Sequence, residues 1–197
     1  MHALLKISGF IDRINEFIGK WVAWLILAAV IVSTSNAIIR KVFNMSSNGF
    51  LEIQWYFFSA VFLLCAGYTM LRNEHVKIDV IAHLFTKRKQ MWIDIIGIVF
   101  FLFPFVVAVI YLSWPLFVNA LQTGEMSQNA GGLIRWPVYM MLPLGFALLG
   151  IQGVSELIKR FAFLAGLIDD PTRKLQQKTA EQELAEAILA QTEGAKK

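Results

Sequence analysis

Apolar residues in this chain come in long uninterrupted blocks, unlike the alternation of a half-buried strand or the single stripe of a soluble helix. Four stretches hold no Asp, Glu, Lys or Arg: 21–39, 53–71, 95–124 and 136–155. A helix that crosses a bilayer needs roughly 17–25 predominantly apolar residues. The pattern therefore predicts an all-α integral membrane protein with four transmembrane helices, at about 21–39, 53–71, 95–121 and 136–158. The third is longer than a crossing requires, since about 27 residues make roughly 40 Å of helix against a hydrocarbon core of about 30 Å. It must tilt, bend or protrude, and Pro104 and Pro115 mark places to bend. Trp136-Pro137 opens the fourth, with proline suited to a first helical turn.

A different periodicity precedes the first block. Leu4, Ile7, Ile11, Ile14, Ile18, Trp21 and Leu25 recur at spacings of three and four, with Asp12, Glu16 and Lys20 opposite. This predicts an N-terminal amphipathic helix over 1–20 lying on the membrane surface and running into span one. Ser35-Asn36-Ala37 could pass for a signal-peptide cleavage site, but Asp12 and Glu16 upstream disfavour that reading. Between spans two and three, Ile78, Ile81, Leu84 and Phe85 lead into Lys87-Arg88-Lys89 and predict a short interfacial helix. Residues 21–165 thus form the membrane domain, and 166–197 a polar tail. In that tail Asp170-Pro171 resembles a helix start, and the weak apolar spacing at Leu184 and Ile188 makes 172–193 a solvated or partly frayed helix.

Composition and charge narrow the class. Hydrophobic residues make up 57% and charged residues only 16%, against about a quarter charged in soluble domains. Of the 18 basic residues, all but Arg40, Lys41 and Arg135 fall before span one, between spans two and three, or after span four. The positive-inside rule then puts both termini in the cytoplasm. The same distribution accounts for the basic excess without a nucleic-acid partner. All six Trp lie near span ends, as interfacial anchors do.

Catalytic chemistry finds little to work with. Cys65 stands alone, which excludes a disulfide scaffold and a paired-thiol oxidoreductase. His2, His75 and His83 all lie outside the spans, where they cannot ligate a membrane haem on two sides. No phosphate loop, metalloprotease pair or nucleophile elbow occurs, so no enzyme is expected. Carriers place ionisable groups and broken helices at mid-membrane. Here the polar positions are Ser33, Thr34, Ser35 and Asn36 near one end of span one, and Gln152, expected to bond a neighbouring helix. Such spans read as support for something larger. The alternatives are a self-contained four-helix channel or carrier acting as a homo-oligomer, and a small membrane enzyme; a channel would want a polar face along one helix.

Particular residues then carry a resemblance. Glu52-Ile53-Gln54-Trp55-Tyr56, Ala66-Gly67 and the run from Leu71 through Arg72, His75 and Asp79 to Val80 resemble the small membrane subunit, or DctQ family, of tripartite ATP-independent periplasmic (TRAP) transporters. Trp136-Pro137-Val138-Tyr139 and Leu142-Pro143-Leu144-Gly145 are similar to its fourth-span pattern. Arg40 fits the family's arginine at the end of span one, although Lys41 and Val42 separate it from the aromatic Phe43. The resemblance covers roughly 10–165 and leaves the tail aside.

It implies a bacterial inner-membrane scaffold subunit of a sodium-coupled importer of an organic acid, such as a dicarboxylate or sugar acid. The expected partners are the large DctM-type membrane subunit, a DctP-type periplasmic binding protein and membrane lipids. No cofactor is expected in this subunit, with sodium held by the large one. Candidate partner or lipid contacts are Arg40, Glu52, Arg72, His75 and Asp79. Glu52 would either pair with Arg40 across the first loop or remain exposed there. Arg72, His75 and Asp79 share one side of a helix by spacing. His75 could bond Asp79, and Arg72 a partner's carboxylate or a lipid phosphate; the alternative is a solvated helix end.

The basic asymmetry sets a direct test of orientation. In a Cys65→Ala background, Ser47→Cys should react with an impermeant thiol reagent in intact spheroplasts, while Thr192→Cys should react only after lysis. The opposite pattern would invert the topology.

Overall fold

The computed structural model describes residues 2–45, 47–74 and 85–171. Among these the elements are helical: α1 (His2–Val22), α2 (Trp24–Phe43), α3 (Asn48–Leu64), α4 (Ala66–Leu71), α5 (Lys87–Gly97), a π-helical turn (Ile98–Leu102), α6 (Phe103–Thr123) and α7 (Trp136–Leu164). They join into four rods long and apolar enough to cross a membrane: His2–Phe43, Asn48–Leu71, Lys87–Thr123 and Trp136–Leu164. The expected interfacial helix between spans two and three, and the expected tail helix, lie outside the described residues.

Local chemistry explains the interruptions. Only Ala23 separates α1 from α2; its backbone stays right-handed and its N–H still reaches the Gly19 carbonyl at 3.2 Å. α4 ends with Asn73 in the left-handed region at φ 54°, and the Glu74 N–H closes on the Thr69 carbonyl at 3.1 Å, a helix stop of Schellman type. The third rod accommodates Pro104 by widening the turn ahead of it. Proline offers no N–H, and its ring presses on the carbonyl four residues back. In the π-turn the Phe103 N–H instead reaches the Ile98 carbonyl, five residues back.

α7 is the hub. It packs against α6, α3, α4 and α1, while α2 packs on α3 and touches the end of α1. Among the described residues α2 and α6 have no substantial contact, so the spans fan out around α7 instead of closing into a ring. Close approach is made by missing side chains. A Cβ on Gly145 of α7 would fall 2.6 Å from the Leu63 carbonyl oxygen of α3. A Cβ on Gly67 of α4 would fall 2.2 Å from Asn15 Oδ1 of α1. Small residues at such crossings let helices in lipid gain van der Waals contact where water expulsion gives nothing. Large apolar side chains such as Trp55, Phe62, Phe101, Tyr111 and Leu112 point outward instead.

α1 meets α7 through its polar edge. Its buried positions are Ser8, Ile11, Asn15 and Gly19, whereas Leu4, Ile7, Phe10, Ile14, Phe17 and Trp21 are exposed. The polar edge faces the protein because α7 presents polar groups there, and groups hidden from water must pair. Apolar residues facing lipid lose little by comparison.

Gly145→Ala should therefore destabilise the fold by about 1–3 kcal/mol through forced separation of α3 and α7. Gly9→Ala, at a site with nothing within 4 Å of the new methyl, should be neutral or slightly stabilising. Thermal unfolding in detergent compares the two directly.

Candidate functional site

Two clusters of polar side chains tie the helices together, one near each end of the rods. The first is built on α7, where Gln152, Ser155, Glu156, Lys159 and Arg160 recur at spacings of three, four and one and so occupy adjacent faces. Toward α1, Asp12 is the focus. Its carboxylate accepts hydrogen bonds from Ser155 Oγ at 2.7 Å and Gln152 Nε2 at 2.9 Å, and pairs with Lys159 Nζ at 3.0 Å. Ser8 and Ser155 share a hydroxyl hydrogen bond of 2.7 Å, and Asn15 Nδ2 donates to Gln152 Oε1 at 2.9 Å.

Toward α5 the chain of charges continues. Lys159 Nζ also meets Glu156 at 2.6 Å. Arg160 donates to the other Glu156 oxygen and, through Nε, to Asp94 at 3.1 Å. Glu156 is 1% exposed and Arg160 3%, so these charges are out of contact with water. Breaking one such buried pair costs about 3–5 kcal/mol, because the survivor is left uncompensated. Three carboxylates and two cations form one path from α1 through α7 to α5.

Arg72, a candidate from sequence, belongs to the same side of the fold. It meets Glu16 of α1 at 2.7 Å and lies over the Tyr68 ring, 5.3 Å from its centroid. Glu16 also takes Lys20 at 2.9 Å. Glu16 of the chain's own first helix thus engages Arg72. His75 and Asp79 lie outside the described residues.

The second cluster centres on Glu52, one turn into α3. It neither pairs with Arg40 nor stays exposed, which corrects both expectations. The residue is 7% exposed, and its carboxylate accepts from the Ser127 hydroxyl, from Asn129 Nδ2 at 2.8 Å and from the Leu133 backbone N–H at 2.7 Å. Arg40 stands exposed in the last turn of α2. The partners of Glu52 lie on the α6–α7 connection. There Ser127 N–H bonds the Leu133 carbonyl at 2.9 Å, Arg135 N–H bonds the Glu125 carbonyl at 2.9 Å, and Met126 bridges Ile134 in antiparallel fashion.

Asn48 and Tyr56, either side of Glu52 on the same helix, donate to the Ala130 and Ile134 carbonyls, each at 2.9 Å. Gly132 keeps the approach open, since a Cβ there would fall 2.8 Å from Glu52 Oε1. The hairpin between spans three and four is therefore clamped onto the start of span two.

Among the described residues no group of three His, Cys, Asp or Glu could hold a metal ion. Both hold helices and a loop in place. A family model for the DctQ component of tripartite ATP-independent periplasmic transporters matches residues 29–163. The chain belongs to the DctQ family. No curated protein and no solved structure matches it. In this DctQ component the matched stretch contains Glu52 with its hairpin partners and the whole α7 half of the charged path. α1, with Ser8, Asp12, Asn15 and Glu16, precedes it.

Most of these residues escaped sequence reasoning. Asp94 and Asp12 look like ordinary charges flanking apolar blocks, and Ser127 and Asn129 like loop polarity. The available signal was Glu156-Leu157-Ile158-Lys159-Arg160, three charges on a helix with no stop before them.

Glu52→Ala should strand the Leu133 N–H and the Asn129 amide and loosen the hairpin, at a cost of about 1–3 kcal/mol for each polar group left unpaired. A cysteine at Gln128 should then be labelled faster and the hairpin cut more readily by protease, while the spans stay folded. Unchanged labelling would show that Asn48 and Tyr56 suffice to hold it.

Proposed function

We propose that this DctQ component is the stationary accessory subunit of a sodium-coupled TRAP importer for an organic acid. In this reading both termini are cytoplasmic in the bacterial inner membrane. The chain packs beside a large DctM-type subunit that holds the sodium and substrate sites, and a DctP-type periplasmic protein delivers the substrate. Family membership supports the division of labour. The observation that carries the stationary role is the internal pairing of the buried charges. Asp12, Glu156, Lys159, Arg160 and Asp94 satisfy one another, and Glu52 is satisfied by its hairpin. Groups engaged in this way brace helices and are not offered to a passing anion.

A transported substrate would meet basic or ionisable groups at mid-membrane. Here the stretches 21–39, 53–71, 95–124 and 136–155 hold no Asp, Glu, Lys or Arg. Broad exposed apolar faces on α2, α3 and α6 suit a subunit that widens a larger neighbour within the bilayer.

Purified alone into proteoliposomes with a sodium gradient and a binding protein, the chain should accumulate no organic acid above protein-free vesicles. Adding the large subunit should restore uptake. Uptake by the small chain alone would establish the self-contained carrier instead.

A further inference from the structure

The rod His2–Phe43 has 42 residues, which at about 1.5 Å each make roughly 63 Å, twice the thickness of a hydrocarbon core. Its charge-free stretch is 21–39, so α2 accounts for the crossing and α1 lies outside it. The bonds of α1 show where. Ser8 and Asp12 meet Ser155 of α7. One and two turns later, Glu16 meets Arg72 at the end of α4 and Gly19 abuts the Tyr68 ring. α1 thus passes from one rod to another, touching each close to where its charge-free stretch ends, at 155 and at 71. That path lays it across the rod ends at the boundary of the membrane.

Around the helix the surfaces follow a fixed order. The edge of Ser8, Asn15 and Gly19 is buried in the protein. Beside it Asp12 and Glu16 are engaged by Lys159, Arg72 and Lys20. Next come Lys6, Arg13 and Lys20, seven residues apart and so nearly in one line. Beyond that line lies the apolar face, where Ile7, Phe10, Phe17 and Trp21 are exposed. Lys6 and Arg13 are exposed too, and among the described residues neither meets a carboxylate. Lys20 already has Glu16.

From Lys6 to Lys20 the basic line runs about 21 Å. Standing upright in a bilayer, a helix marked in this way would carry one end of the line into hydrocarbon, where a cation is costly. Projecting into water, it would expose its aromatic face along its whole length. Lying in the interface satisfies both surfaces at once.

We propose that α1 is an interfacial anchor that selects anionic phospholipid. Phe10, Phe17 and Trp21 enter the acyl region, and Lys6 and Arg13 take lipid headgroups along the edge of that face. Charge complementarity picks the lipid. A zwitterionic headgroup offsets its own phosphate, whereas an anionic one brings a net negative charge to two cations that no acid on this edge neutralises. Because Asp12–Lys159 and Glu16–Arg72 fasten α1 to the rod ends, the bound leaflet fixes the depth at which the bundle sits. The inference needs only that the chain be embedded in a bilayer, and it is independent of the transport reading.

Fluorescence quenching of the full chain in nanodiscs tests it. A bimane label is placed at Phe17→Cys in a Cys65→Ala background. The discs hold equal parts phosphatidylglycerol and phosphatidylcholine, and only one of the two carries bromine on its acyl chains near the headgroup. Brominated phosphatidylglycerol should quench the label at least twofold more than brominated phosphatidylcholine. Lys6→Gln with Arg13→Gln, both at exposed positions that leave the bonds to α7 and α4 intact, should make the two lipids equal. Equal quenching before that change, or a preference that survives it, would overturn the selection of anionic lipid. A label quenched by neither lipid would overturn the anchor itself, since the face would then be wet or covered by protein. So would a photo-crosslinker at Phe10 that captures another protein in cells.

Discussion

A charge shut away from water survives in a folded protein only beside an opposite charge, and this constraint organises the molecule around α7. Glu156 and Arg160 are buried almost completely. Each needs partners, and these come from three separate parts of the chain: Asp12 on α1 through Lys159, Asp94 on α5, and α7 itself. The Coulomb attraction within such a cluster roughly offsets the desolvation of its members, so it adds little net stability. What it adds is placement. With the pairs formed, α1 cannot slide along α7 and the start of the third rod cannot swing away without stranding a charge.

The opposite end uses the same physics with fewer charges. One carboxylate, Glu52, satisfies two side-chain donors and a backbone N–H, and two neighbouring side chains on α3 bond the same hairpin. Between these ends the helices are held by glycine-mediated contact, at Gly145 against α3 and at Gly67 against Asn15. Pinned at both ends and joined by close glycine contacts, the helices are held in fixed relation to one another.

Four helices long and apolar enough to cross a membrane were legible because a bilayer demands about 20 apolar residues per crossing and tolerates few charges. That requirement acts on each segment separately, so it is written locally. The family was legible too, in short runs around Glu52, Arg72 and Trp136. The partners of those residues were not. Closeness in sequence offers Glu52 either Arg40 or an exposed place in the first loop, yet its real partners are more than 70 residues away, on a hairpin whose fold is set by its own backbone bonds.

α1 shows the division between sequence and tertiary structure most plainly. Its apolar stripe gave the helix and its amphipathic character from sequence alone, by the spacing of Leu4, Ile7, Ile11 and Ile14. Which face turned inward depended on what α7 offered. In water the apolar face would be buried, but in a membrane apolar residues face lipid at little cost, while Ser8, Asp12 and Asn15 gain by meeting Ser155, Lys159 and Gln152. Periodicity determines that a helix has two faces. Only the tertiary structure decides which face is inside, because that depends on the polarity of the surroundings and on the groups waiting across the interface.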